Sequence, residues 1–162
     1  RAPRALFVNT AQRYGYGPPV EHSPADVCHR PEHLFNAATW LAARALSPVQ
    51  VVQLHGFDAE SVPEGVMAIL SEGRPQPASA ALSEQAARLK GAFSGDVRRF
   101  PDDITVLGGT TNVQGRLLAG LPGVRFVHVE MSVALRARLR KTAAARNALA
   151  EALFAPLGGS AP

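Results

Sequence analysis

Val124-Arg125-Phe126-Val127-His128-Val129-Glu130-Met131 decides how this chain is read. Its β-branched and aromatic residues suit a strand. Ser132 directly behind it is a helix-capping residue and opens an amphipathic pattern that runs to Phe154. Strand followed by helix is the unit from which α/β folds are assembled. Working back from it, Gly108-Gly109 opens a turn, and Thr110 or Thr111 is placed to cap a helix reaching Leu121, which Pro122-Gly123 ends. Val97–Phe100 and Ile104–Leu107 read as short strands, Ala80–Phe93 as a helix, and Val66–Leu70 and Val49–Leu54 as apolar strands flanking the loop Gly56–Gly65. The run from Glu32 to Leu46 reads as a helix with Leu34, Trp40 or Leu41, and Ala45 on one apolar face. Pro31 fits its first position, where a missing N–H costs nothing, and Ser47-Pro48 ends it. Arg4–Thr10 reads as a short buried strand, whereas Tyr14-Gly15-Tyr16-Gly17-Pro18-Pro19 breaks both periodicities. The expectation is a single three-layer α/β/α domain over residues 1–156, on a mostly parallel or mixed central sheet, with a flexible tail at 157–162.

Bulk properties narrow the functional classes. At 162 residues and 46% hydrophobic content, with mean hydropathy near zero, the chain is long enough to bury one sizeable core. It contains no apolar run of the ~20 residues needed to span a bilayer, and no signal peptide is visible behind Arg1-Ala2-Pro3-Arg4. The abrupt start suits a processed or trimmed chain, and the compartment is left open. A single cysteine, Cys28, excludes an internal disulfide. The net charge of +4 is concentrated at Arg136, Arg138, Arg140, Lys141 and Arg146. No aromatic residues interleave with these cations to stack on bases, which argues for a solvated face rather than a nucleic-acid surface.

The chemistry lies in the histidines. Three of the five fall between His22 and His33, His55 ends the strand-like run Val49–Leu54, and His128 stands two residues before Glu130. The segment His29-Arg30-Pro31-Glu32-His33 admits two zinc readings. As an H-x-x-E-H helix, His29 and His33 would be ligands and Glu32 the base, but Pro31 biases Arg30 out of the α region and so interrupts the helix that this reading needs. In the alternative, His29 ends an extended segment and Glu32 sits in the first helical turn. His55 then completes a two-histidine, one-carboxylate zinc set with room for water. Glu130 breaks an apolar run, where a carboxylate is costly without a partner; burial there would raise its pKa toward the value a general base needs. His128 shares a sheet face with it by the period of two and is expected either beside the substrate or behind the ligands, supporting them. Gly108-Gly109-Thr110-Thr111-Asn112 and Arg116 offer backbone N–H groups and a cation to a substrate carboxylate. Each residue also has a plain structural role open to it: a histidine at a strand end can simply be hydrogen-bonded, and Glu32 can be a charge favoured by the helix dipole.

The order and setting of these residues resemble the zinc carboxypeptidase and succinylglutamate-desuccinylase superfamily: His29-x-x-Glu32, then a helix carrying Ala37-Ala38-Thr39-Trp40, then His55 and Glu130 each on an apolar strand. From Gln53-Leu54-His55 through Gly108-Gly109-Thr110 to Val127-His128-Val129-Glu130-Met131-Ser132 the chain also looks like the N-formylglutamate amidohydrolases. The resemblance implies a reduced carboxypeptidase-like fold, with zinc on His29, Glu32 and His55, water activated by Glu130, and a small peptide or acyl-amino-acid substrate, for which the residues themselves offer Asn112, Arg116 and His128 as contacts. Zinc-dependent hydrolysis of an amide or peptide bond is therefore the expected activity. The competing class is a non-catalytic binding module that uses the basic last helix.

Overall fold

The computed structural model describes residues 5–8 and 26–156. Its elements, in chain order, are α1 (Leu34–Leu46), β1 (Val49–Gly56), a 3-10 turn at Ala59–Ser61, β2 (Val66–Ser71), α2 (Ala80–Phe93), β3 (Asp96–Arg99), α3 (Val113–Leu118), β4 (Val124–Met131), α4 (Val133–Lys141) and α5 (Ala143–Phe154). The four strands form one mixed sheet in the order β1-β4-β2-β3, with β2 parallel to β3 and antiparallel to β4, so the α/β expectation holds. Two compact units are distinguishable. One holds residues 52–109 and 127–156; the other holds 26–51 and 110–126, with 5–8.

In the first unit, the alternation of β4 sends Val127, Val129 and Met131 into the main core. There they meet Ala68 and Leu70 of β2, Leu82, Leu89 and Phe93 of α2, Leu135 of α4, and Leu149 and Leu153 of α5. On β2, Ile69 belongs to a second cluster with Phe57 and Val66, against which Phe100, Ile104 and Leu107 pack. Ile104–Leu107 is for this reason no strand, contrary to the sequence expectation. Asp103 N–H closes a turn on Arg99 C=O at 2.8 Å, and Ile104 and Leu107 then pack against that cluster instead of pairing with a strand edge. The single long helix expected after Ser132 is two helices. Thr142 leaves the helical region (φ −131°, ψ 136°), and its hydroxyl caps α5 by accepting from Ala145 N–H at 3.2 Å. The bend lets Leu135 and Leu149 reach the same core, which the apolar periodicity of either half allows equally well.

The second unit pairs α1 with α3 around Ala43, Leu118 and Phe126, with Val49, Val51, Leu121 and Val124 packed against them. Here α1 departs from expectation at both its start and its face. It begins at Leu34, because His33 in extended conformation is the cap and its Nδ1 accepts from Phe35 N–H at 3.1 Å; Pro31 and Glu32 lie in the preceding turn. Its buried residues are Asn36, Thr39 and Ala43, while Leu34 is 82% and Leu41 60% exposed and Ala45 is also exposed. The polar face is inside where the Asn36 amide nitrogen and the Thr39 hydroxyl find partners. Asn36 Nδ2 donates to Val27 C=O at 2.8 Å and Arg30 C=O at 2.7 Å, and Gln114 Nε2 donates to Thr39 Oγ1 at 3.0 Å. α3 is capped by Asn112, not by Thr110 or Thr111, and is shorter than expected. Ala5–Val8 is irregular, with Leu6 78% and Val8 66% exposed, so this part of the expected first strand is neither buried nor a strand. Its flanks, His22, Tyr14, Tyr16 and the tail 157–162 lie outside the described residues.

Candidate metal centre

The same alternation of β4 that buries Val127 and Val129 turns His128 and Glu130 to the opposite face. Opposite them on β2 stand Ser71 and Ile69 respectively. His55, near the end of β1, brings its imidazole to 4.9 Å from that of His128, ring centre to ring centre. His128 Nε2 and Glu130 Oε1 are 3.6 Å apart. One potential ligand atom from each of His55, His128 and Glu130 lies within 4.8 Å of the others. His128 and Glu130 are 3% and 8% exposed and His55 is half-buried, so the group is open on the His55 side.

Burial holds the His128 imidazole far below its ordinary pKa, to about 3, and the neighbouring His55 adds to the effect. The ring is therefore neutral, the form that ligates metals. Its Nδ1 is buried without a hydrogen-bond partner among the described residues, which is uncommon for a buried polar atom. The ring is seated by the loop Gly108-Gly109. Ser71 Oγ donates to Gly108 C=O at 2.6 Å and accepts from Gly73 N–H at 2.8 Å. A Cβ on Gly109 would lie 3.0 Å from His128 Cγ and Nδ1, and the φ of +63° also favours glycine there. Two imidazoles and a carboxylate are a donor set of zinc centres that retain an open position, and the residues present fit such an ion.

The remaining expected site residues are placed elsewhere. His29 and Glu32 belong to the other compact unit from His55 and are not in this group. His29 Nδ1 bonds Asp26 Oδ1 and Oδ2 at 2.9 and 3.0 Å. Glu32 is 65% exposed in an ion pair with Arg30 at 2.9 Å, and its own backbone N–H, then Arg30, hold its carboxyl below the ordinary value. Asn112 is buried as the α3 cap, its Oδ1 accepting from Gln114 and Gly115 N–H at 2.9 and 3.4 Å. Arg116 is exposed and donates to Thr111 C=O at 3.0 Å. Of the expected ligands the structure brings only His55 to the group, and it adds His128 and Glu130, which the sequence places beside a substrate and in a base's role. The signal for His128 is its period-two spacing from Glu130; what could not be seen is that β1 would end beside both. The basic residues of α4 are partly engaged within the fold, Arg136 donating to Phe57 C=O at 3.1 Å and Arg138 lying 4.9 Å over the Phe93 ring.

No protein-family model, curated protein or solved structure matches the chain. Among the described residues no helix is long and apolar enough to cross a membrane.

Proposed function

We propose that the protein is a zinc-dependent hydrolase of an amide or peptide bond whose metal is held by His55, His128 and Glu130. The observation that carries the metal assignment is the convergence of one donor atom from each residue within 4.8 Å. Glu130 has two roles open to it, third donor or proton acceptor beside a two-histidine site. Three protein donors is the number that catalytic zinc sites use, so we assign it to the metal. Bound zinc supplies a Lewis acid and lowers the pKa of a water at the open position toward 7. The protein's own part is to hold His128 rigidly against Gly109, to keep that imidazole neutral by burial, and to leave the half-buried His55 side accessible. The amide bond and the small peptide or acyl-amino-acid substrate rest on the resemblance to the carboxypeptidase superfamily and the N-formylglutamate amidohydrolases.

The test is elemental analysis of the purified protein after zinc reconstitution, combined with hydrolysis of N-acyl amino acids before and after chelation. About one zinc per chain is expected, lost in His55→Ala together with chelator-sensitive turnover. Glu130→Gln separates the two roles of the carboxylate: loss of zinc makes it a donor, and retained zinc with lost turnover makes it the proton acceptor. A chain that retains no zinc, or a His55→Ala variant that retains it undiminished, rules out the centre.

A further inference from the structure

Asp26, His29 and Thr111 form a second chemical group, separate from the metal centre and independent of it. The Asp26 carboxylate contacts His29 Nδ1 through both oxygens, at 2.9 and 3.0 Å, and His29 Nε2 lies 3.4 Å from Thr111 Oγ1. A carboxylate on Nδ1 selects the tautomer that carries its proton there, leaving Nε2 as the acceptor for the threonine hydroxyl. This is the sequence of contacts that activates a hydroxyl nucleophile: acid orienting base, base facing hydroxyl. Exposure is graded in the same order. The Asp26 side chain is 12% exposed and that of His29 34%, and Thr111 is open to solvent, so the acid is sheltered while the hydroxyl is accessible.

The turn that carries the acid and the base is fastened on several sides. His29 N–H bonds Asp26 C=O at 3.2 Å, Val113 N–H bonds Cys28 C=O at 2.8 Å, and Asn36 Nδ2 holds Val27 C=O and Arg30 C=O. The bond from Val113 ties this turn to the residues just after Thr111, so the base and the nucleophile are held in one frame. Arg116 donates to Thr111 C=O at 3.0 Å, which fastens the nucleophile's backbone to α3 as well.

We infer that Thr111, His29 and Asp26 constitute an acyl-transfer site that hydrolyses small carboxylic esters through an acyl-threonine. Thr111 Oγ1 bonds to the ester carbonyl carbon as its proton passes to His29 Nε2. The bond from that carbon to the alkoxy oxygen breaks, and the departing alcohol takes the proton from Nε2. Water then attacks the acyl-threonine, with Nε2 again taking a proton and returning it to Thr111 Oγ1, which releases the carboxylic acid. Asp26 touches His29 and not the substrate, and is a positioning residue.

The experiment uses the full chain in the presence of EDTA, so that loss of the metal centre cannot account for either result. p-Nitrophenyl acetate reports a burst of p-nitrophenol, and a fluorophosphonate followed by peptide mass spectrometry reports the residue modified. The expected results are a burst, label on Thr111, loss of both in Thr111→Ala, and retention in Thr111→Ser, which keeps the hydroxyl. His29→Gln slows labelling by about 100-fold or more, the usual contribution of a general base. His29 and Thr111 are both at least partly solvent-exposed, and circular dichroism checks that the variants remain folded. Absence of a burst and of label, label on another residue, or a labelling rate indifferent to His29→Gln overturns the assignment.

Discussion

His128 sits under local tension. A buried imidazole held neutral, with one nitrogen lacking a partner among the described residues, is costly unless another group satisfies it. The other nitrogen, Nε2, is 3.6 Å from Glu130 Oε1 and is the one turned toward the candidate metal group. His128→Ala is therefore expected to weaken zinc binding by about 100-fold or more, a loss at least as large as that from removing an outer-shell partner, as read by competition with a chromophoric chelator. Gly109→Ala tests the seating of the ring. The added Cβ meets His128 at 3.0 Å at a positive φ, and zinc affinity should fall by about 10-fold. Unchanged affinity in Gly109→Ala would show that the loop does not position the ring.

At the scale of elements, capping decided more than periodicity. His33 rather than Pro31 starts α1, Asn112 rather than a threonine starts α3, and Thr142 divides what reads as one helix into α4 and α5. Thr142→Ala should cost about 1 kcal/mol of stability, the usual value of a lost helix cap, measured by urea unfolding; a change below the error of that measurement would mean that packing alone sets the bend. Leu82 of α2 is fully buried in the main core. Leu82→Ala should cost about 2–5 kcal/mol, and retention of the wild-type midpoint would place that core elsewhere.

At the scale of the whole molecule, ligand linkage and pH give separate handles on stability. Zinc that binds only the folded chain adds about 2.7 kcal/mol at a free concentration 100 times its Kd. The unfolding temperature should therefore rise with zinc, return with EDTA, and stay flat in His55→Ala. Acid acts through other groups. Burial pushes the Glu72 carboxyl up, but Arg74 at 2.8 Å and Ser79 at 2.7 Å outweigh it and hold it below its ordinary value. The Arg99 guanidinium at 2.8 Å does the same for Asp103. Both carboxyls titrate lower in the folded chain than in the unfolded one. Their stabilisation is thus complete above the unfolded values of 4.5 and 3.8 and is lost as pH falls through the folded ones. Thermal unfolding of the metal-free chain between pH 6 and 3 should show this decline, with a shallower slope in Glu72→Gln; an equal slope would remove Glu72 from the account.

What the sequence by itself determined is what depends on neighbours in the chain. The runs Val49–Leu54, Val66–Leu70 and Val124–Met131 specified strands, and Ala80–Phe93 specified a helix to the residue, which the structure caps with Ser79. The period of two placed His128 and Glu130 on one face before any contact was known. Tertiary structure alone decided which side of α1 is inside. Asn36 and Thr39 are buried because Val27, Arg30 and Gln114 offer them partners from outside the helix. It also decided the candidate metal group. The strand order sets β1 beside β4, and thereby His55 beside His128, across 72 intervening residues whose pairing no local pattern encodes.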